Sequence, residues 1–277
     1  MLRTLLDCLT RTASVAIPDP LWSSTLASLP FLARLSPAER ALLRALAAQL
    51  LADKQMAGAA DLDLTAEMQV SIAMQACLPV LNLGLEWYRG WKSIVVYPSE
   101  FLVPRSVTDD DGVVHEYVEP ISGEAWDRGP LVLSWEDAQH TSNAAGAAYS
   151  VVIHEFVHKI DQLNGDADGV PPFSVVHKQL AVDRWKRVLQ ESLNRFTAEL
   201  ELIEAELPAG LDPESDEVDH YYARLPFDAY AAQDEAEFFA VSSEAFFVAP
   251  DRLQQAFPDW YALLAQFFLQ DPLAPPR

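Results

Sequence analysis

Apolar residues crowd most densely between 147 and 165, in the stretch AAYSVVIHEFVHKIDQLNG. Val151, Val152, Ile153, Phe156, Val157 and Ile160 occupy too many sides of a helix for a surface position, and Asn164-Gly165 supplies a stop. The pattern predicts a buried helix over 147–163. A second segment of the same kind, DEAEFFAVSSEAFFV at 234–248, is apolar around nearly its whole circumference and predicts a second buried helix. Scaffold helices surround these two. Ser36-Pro37-Ala38-Glu39 is a capping box with proline at the first helical position, opening an Ala/Leu-rich helix to Asp53. Another helix runs from Thr65 toward Pro79, with Val80 to Tyr88 continuing the packing. A long helix with one charge-rich face is expected over 174–207, and aromatic-rich helical packing over 250–269.

Strand signals are fewer. KSIVVY at 92–97 is β-branched and ends at Pro98, Phe101-Leu102-Val103 reads as a short continuation before Pro104, and Leu131 to Trp135 follows Gly129-Pro130 as a second strand. A helical turn is expected at 136–140. Asp109-Asp110-Asp111-Gly112 has turn chemistry; a calcium loop would need a different ligand register and a closing glutamate. The expected fold is therefore α+β and mainly helical, with a small sheet at about 92–135 placed ahead of the buried helices. Residues 1–20, ending Ile17-Pro18-Asp19-Pro20, read as a loosely packed lead-in, residues 21–273 as a single domain, and 208–218 as an acidic surface loop.

The two buried helices carry polar groups that burial penalises by roughly 2 kcal/mol or more each unless they are paired. His154 and His158 stand one turn apart on one face with Glu155 beside them, the H-E-x-x-H arrangement in which two imidazoles reach a single cation. A lone core histidine is ordinary; two histidines and a glutamate at the centre of one apolar helix point to a metal. A catalytic zinc site commonly takes three protein ligands, with His, His, Glu one recurring set. Glu237, on the second buried helix, is the carboxylate chosen as third ligand. Glu235 falls about 160° away around the axis and suits exposed roles. Glu155 is placed as the base that takes a proton from water and then as the acid that gives it to the leaving amine. Asp161 either accepts the remaining N–H of a ligand imidazole or is a polar helix end. Glu244, about 20° from Glu237 around the axis, either supports a ligand in that way or is a structural acceptor. Tyr230 either donates to a transition-state oxyanion or packs. His140 and His177 have no helix presenting them to the core, and His177 is expected in solvent. The Leu131 to Trp135 strand is expected at the cleft, holding substrate backbone by strand addition.

Half of the 277 residues are hydrophobic, enough for a sizeable core. Nineteen Lys and Arg against 41 Asp and Glu give a net charge of -22, which repels phosphate backbones and anionic lipid and argues against direct nucleic-acid or membrane partners. The two cysteines, Cys8 and Cys77, lack the paired spacing of a zinc knuckle or redox motif and read as small core hydrophobes in a reducing compartment. Arg3, Asp7 and Arg11 interrupt the first apolar runs, so no signal-peptide core is read there, and a cytoplasmic location is expected.

HEFVHKID, taken with DAYAAQDEAEFFAVSSEAFF, LPVLNLGLEWY and GPLVLSWEDAQ, resembles the Mlc titration factor A family of bacterial zinc peptidases from about Leu21 to Leu273. The resemblance implies a gluzincin-type, zincin-like metallopeptidase core with one Zn2+ per chain. It implies His154, His158 and Glu237 as ligands, Glu155 as the catalytic residue and Tyr230 as an active-site tyrosine. It also implies aminopeptidase-like cleavage of small peptides and, as an alternative role, sequestration of a transcriptional repressor protein with zinc mainly structural. Glu235 departs from the family, which often has proline before the Ala-Glu pair.

Overall fold

In the computed structural model, residues 16–108, 114–121, 123–125, 129–140, 149–208 and 218–274 are described. The chain starts with α1 (Asp19–Ser28) and α2 (Pro37–Asp53), where Ser36 Oγ accepts from Glu39 N while the Glu39 carboxylate returns to Ser36 N, the reciprocal cap read from the sequence. Ordered packing reaches back into the expected lead-in: α1 begins at Asp19 and Ile17 is buried in the core. Residues 1–15, Cys8 among them, lie outside the described residues, as do the Asp109 to Gly112 turn, residues 147 and 148 of the first buried helix, and most of the acidic loop, 209–217.

Next come β1 (Gln55–Gly58), α3 (Ala66–Cys77), β2 (Ser93–Tyr97), β3 (Phe101–Thr108), β4 (Val114–Ile121), β5 (Gly123–Ala125) and β6 (Leu131–Ser134). One sheet has the order β1-β2-β6-β5, with β1, β2 and β6 parallel and β5 antiparallel to β6. β3 and β4 form a separate antiparallel ribbon. Three of these strands, β1, β4 and β5, are absent from the sequence expectation, and β3 runs beyond the expected Phe101 to Val103. The four residues of β1 have no strand pattern of their own and owe their conformation to the Gln55↔Ser93 to Gly58↔Val96 register. The ribbon runs through Pro104 and Pro120, which a two-stranded ribbon tolerates because each strand keeps one unpaired edge.

The remaining elements are α4 (Trp135–Gln139), α5 (Val151–Asp161), α6 (Val182–Glu204), α7 (Asp219–Tyr222), α8 (Glu235–Val248), α9 (Pro250–Ala256) and α10 (Pro258–Phe268). Helix α6 starts eight residues later than the expected 174, because Val175–His177 forms a separate 3-10 turn. His177 is buried there and not solvated: its Nε2 meets Phe267 O at 2.9 Å, its Nδ1 accepts Ser174 N at 3.1 Å, and its ring stacks on Phe267. Phe267 is 90 positions away in sequence. Helix α8 crosses the molecule's centre, packed on α5 along one side and on α6, α9 and α10 along others. Trp185, Phe238, Phe239, Trp260 and Phe267 form a continuous aromatic cluster around it. This arrangement fixes the face of α8 that meets α5. Among the described residues no helix is long and apolar enough to cross a membrane.

Candidate metal centre

Helix α5 begins where Ser150 caps it, its Oγ accepting Ile153 N at 3.2 Å. Helix α8 begins at Asp234, whose carboxylate accepts Glu237 N at 2.9 Å. These two starts set the pairing of the helices and bring His154, His158 and Glu237 together, with one potential ligand atom from each lying within 4.8 Å of the others. His154 Nε2 is 3.0 Å from His158 Nε2, and Glu237 Oε2 is 3.1 and 3.4 Å from the two ring nitrogens. The Glu237 side chain is 18% exposed, more open than a fully buried stripe implies, because it sits in the first turn of α8.

The donor set fits a small divalent cation. His154 Nδ1 donates to Glu244 Oε1 at 2.9 Å, which leaves the lone pair of a neutral ring on Nε2. That lone pair faces a second ring nitrogen and a carboxylate oxygen. Glu237 Oε2 is buried and, despite its proximity to both rings, has hydrogen-bond alignment with neither. Three such atoms bound tetrahedrally at 2.0–2.1 Å would stand about 3.3 Å apart, close to the edges of this triangle.

Without a cation the protein balances these groups with protons. Burial opposes charging of His154, but the Glu237 and Glu244 carboxylates more than offset it and hold its pKa well above the usual imidazole value. Burial also works against ionised Glu237, yet the two imidazoles hold its carboxyl well below the usual range. A divalent ion would compete for the same lone pairs and displace the imidazole proton.

Glu155 follows His154 directly on α5. Its carboxyl is buried, its Oε2 has no hydrogen-bond partner, and burial pushes it up to about 7 while the neighbouring imidazoles pull against that shift. Strand β5 runs directly over it: a Cβ placed on Gly123 would stand 2.5 Å from Glu155 Oε1, so only glycine leaves the carboxyl its present position.

Glu244 is buried at the meeting point of three elements. Besides His154 it accepts Ser150 N at 2.5 Å, and burial raises its pKa against the pull of His154. Ser150 Oγ in turn donates to Gln75 Oε1 at 2.8 Å, and Gln75 Nε2 donates to Ala138 O at 3.0 Å. Gln75 and Ser150 were not singled out in the sequence. The available signals were a glutamine inside the apolar helix Ala66–Cys77 and a serine directly ahead of the first buried run.

Asp161 has a partner other than the expected imidazole. Its Oδ2 accepts Gly169 N at 2.7 Å, because the loop after α5 folds back beneath the helix; burial pushes its carboxyl up to about 7. Gly169 has φ +71, and its carbonyl accepts Trp185 Nε1 at 2.7 Å. A side chain there would strike the Glu235 backbone, so this residue wedges the loop between α5 and α8. Asp168 turns the same loop by accepting Val170 N at 3.0 Å. Tyr230 lies in the 3-10 turn Ala229–Ala232, 44% exposed, with its ring centroid 6.2 Å from that of His154. Glu235 is half-buried at the start of α8.

Strand addition to Leu131–Ser134 is ruled out by the topology: β6 is paired on one side with β2 and on the other with β5. The sheet edge on this side belongs to β5, the strand that covers Glu155.

Sequence comparison gives an independent line. A model of the glucose-regulated metallo-peptidase M90 family matches residues 7–269. Mlc titration factor A of Klebsiella pneumoniae (strain 342) is 38% identical over 253 residues, covering 91% of this chain and 86% of that protein. Mlc titration factor A of Escherichia coli O7:K1 has the same identity and coverage. So does that of Shigella flexneri.

Proposed function

Since the chain belongs to the glucose-regulated metallo-peptidase M90 family, we propose that it is a zinc peptidase in which His154, His158 and Glu237 hold one Zn2+ and Glu155 moves the proton of hydrolysis. The observation that carries this is the triangle of His154 Nε2, His158 Nε2 and Glu237 Oε2, three acceptor atoms facing one another across two buried helices. Zinc supplies Lewis acidity toward water and toward the scissile carbonyl when bound.

The protein's own groups do the rest. Glu155 Oε2, buried and unpartnered, takes a proton from the attacking water and delivers it to the leaving amine. Glu244 holds His154 with its proton on Nδ1 and its lone pair on Nε2. Tyr230, exposed beside the His154 ring, donates to the oxyanion that develops on the carbonyl. Asp161 acts at one remove, tying the end of α5 to Gly169. The substrates are short peptides cleaved in the aminopeptidase manner, and the location is the cytoplasm.

Elemental analysis tests the ligand set. The wild-type protein should carry near one zinc per chain and Glu237→Ala should lose most of it; unchanged zinc in the variant rejects Glu237 as a ligand. The name of the relatives, Mlc titration factor A, supports a second proposal, that the chain sequesters a repressor protein with zinc mainly structural. Glu155→Gln separates the two. A peptidase keeps its zinc and loses turnover, whereas a sequestering protein keeps its partner affinity in the same variant.

A further inference from the structure

A cavity of about 600 Å3 opens beside the C-terminal half of α5, lined by residues that play no part in the chemistry above. Its floor is Trp91, Lys159 and Gln162; Arg89, Asn164 and Asp166 stand at the rim. Lys159 lies one turn beyond Glu155, on the same face of α5.

Two polar atoms on the lining residues are buried with no hydrogen-bond partner: the indole Nε1–H of Trp91 and Oε1 of Gln162. The other end of Gln162 is fixed, with Nε2 donating to Ala125 O at 2.7 Å. An unpaired buried donor is costly enough that proteins seldom keep one without a ligand or water to meet it. Positive charge gathers at the same place. Arg89 reaches the rim, Lys159 Nζ lies 5.4 Å from the centre of the Trp91 ring, and Lys54 Nζ lies 3.8 Å from it. In a chain with net charge -22 this concentration runs against the overall field. Among the described lining residues Asp166 is the one carboxylate, and it is exposed at the rim.

We propose that this cavity binds the anionic head of a small molecule, a carboxylate or a phosphate. The Arg89 guanidinium and Trp91 Nε1–H would donate to its oxygens, and Gln162 Oε1 would accept from a neighbouring hydroxyl or amide. Guanidinium and indole donors match planar or tetrahedral oxyanions. A carboxylate could be the terminus of a peptide; a phosphate would mark a phosphorylated metabolite.

Indole N–H resonances of the 15N-labelled full chain, in the Glu155→Gln background, test this without any turnover. Three probes are titrated at constant ionic strength: inorganic phosphate, N-acetyl-dialanine, and its C-terminal amide. One indole signal, identified by its absence in Trp91→Phe, should move saturably with phosphate, with the peptide acid, or with both, and not with the amide. Arg89→Gln should weaken that binding about tenfold or more. A response to phosphate alone or to the acid alone names the source of the anion. A Trp91 signal that ignores both anions, follows the amide equally, or is indifferent to Arg89→Gln overturns the proposal.

Discussion

His154 and Glu244 are joined at 2.9 Å between Nδ1 and Oε1, on helices 90 positions apart in sequence. The same carboxylate takes the Ser150 backbone N–H, so one buried side chain both caps the start of α5 and sets the orientation of its first imidazole. Few single groups in the molecule combine an element boundary with a site geometry in this way.

Removing that group should therefore act on metal affinity. Glu244→Ala is expected to weaken zinc binding about 10- to 100-fold, the usual cost of losing the partner of a ligating histidine. Competition against a chromogenic chelator measures it. An affinity equal to wild type would show that His154 is oriented by packing alone.

Gln75 should matter for stability first. Gln75→Leu leaves Ala138 O without its donor and the Ser150 hydroxyl proton without its acceptor, and the fold should lose about 1–3 kcal/mol in urea unfolding. Zinc affinity should fall by less than in Glu244→Ala, because Ser150 N still reaches the carboxylate. A Gln75→Leu protein as stable as wild type would mean that water replaces the amide.

Gly123→Ala isolates Glu155 from the proposed ligands. The added Cβ displaces the carboxyl while leaving the triangle of His154, His158 and Glu237 untouched. Turnover is expected to drop on the order of a hundredfold, as small misplacements of a proton-transfer group do, at unchanged zinc content. Equal losses of zinc and turnover would place the damage in the fold instead.

His177 predicts a pH effect from a group outside the candidate metal centre. Burial holds its pKa below the usual 6.5, against the Phe267 carbonyl, which favours the charged ring. The unfolded chain thus takes up the proton first. The contribution of His177 to stability is fully present above pH 6.5 and is lost as pH falls through the lower folded value. Urea unfolding at pH 7.5 and 5.5 should show a larger acid loss for wild type than for His177→Gln; carboxyl groups that titrate in both proteins cancel in that difference. Equal losses would mean that the buried ring accepts the proton without penalty.

Much of this protein is written locally. The capping box at Ser36, the burial of the helices around His154 and Glu244, and the opposition of two histidines to one turn of helix follow from periodicity, because a helix repeats every 3.6 residues whatever it packs against. Tertiary structure decided everything that depends on elements meeting. The four-residue β1 and three-residue β5 exist because β2 and β6 offer them hydrogen-bond partners, and β6 is closed to any further strand for the same reason. Asp161 turned to Gly169 because a loop folded back beneath its helix, and His177 entered the core because Phe267 was waiting for it. Sequence can say that a buried carboxylate must have a partner. Which partner it has is a matter of long-range packing, and no local pattern encodes the distance between two helices.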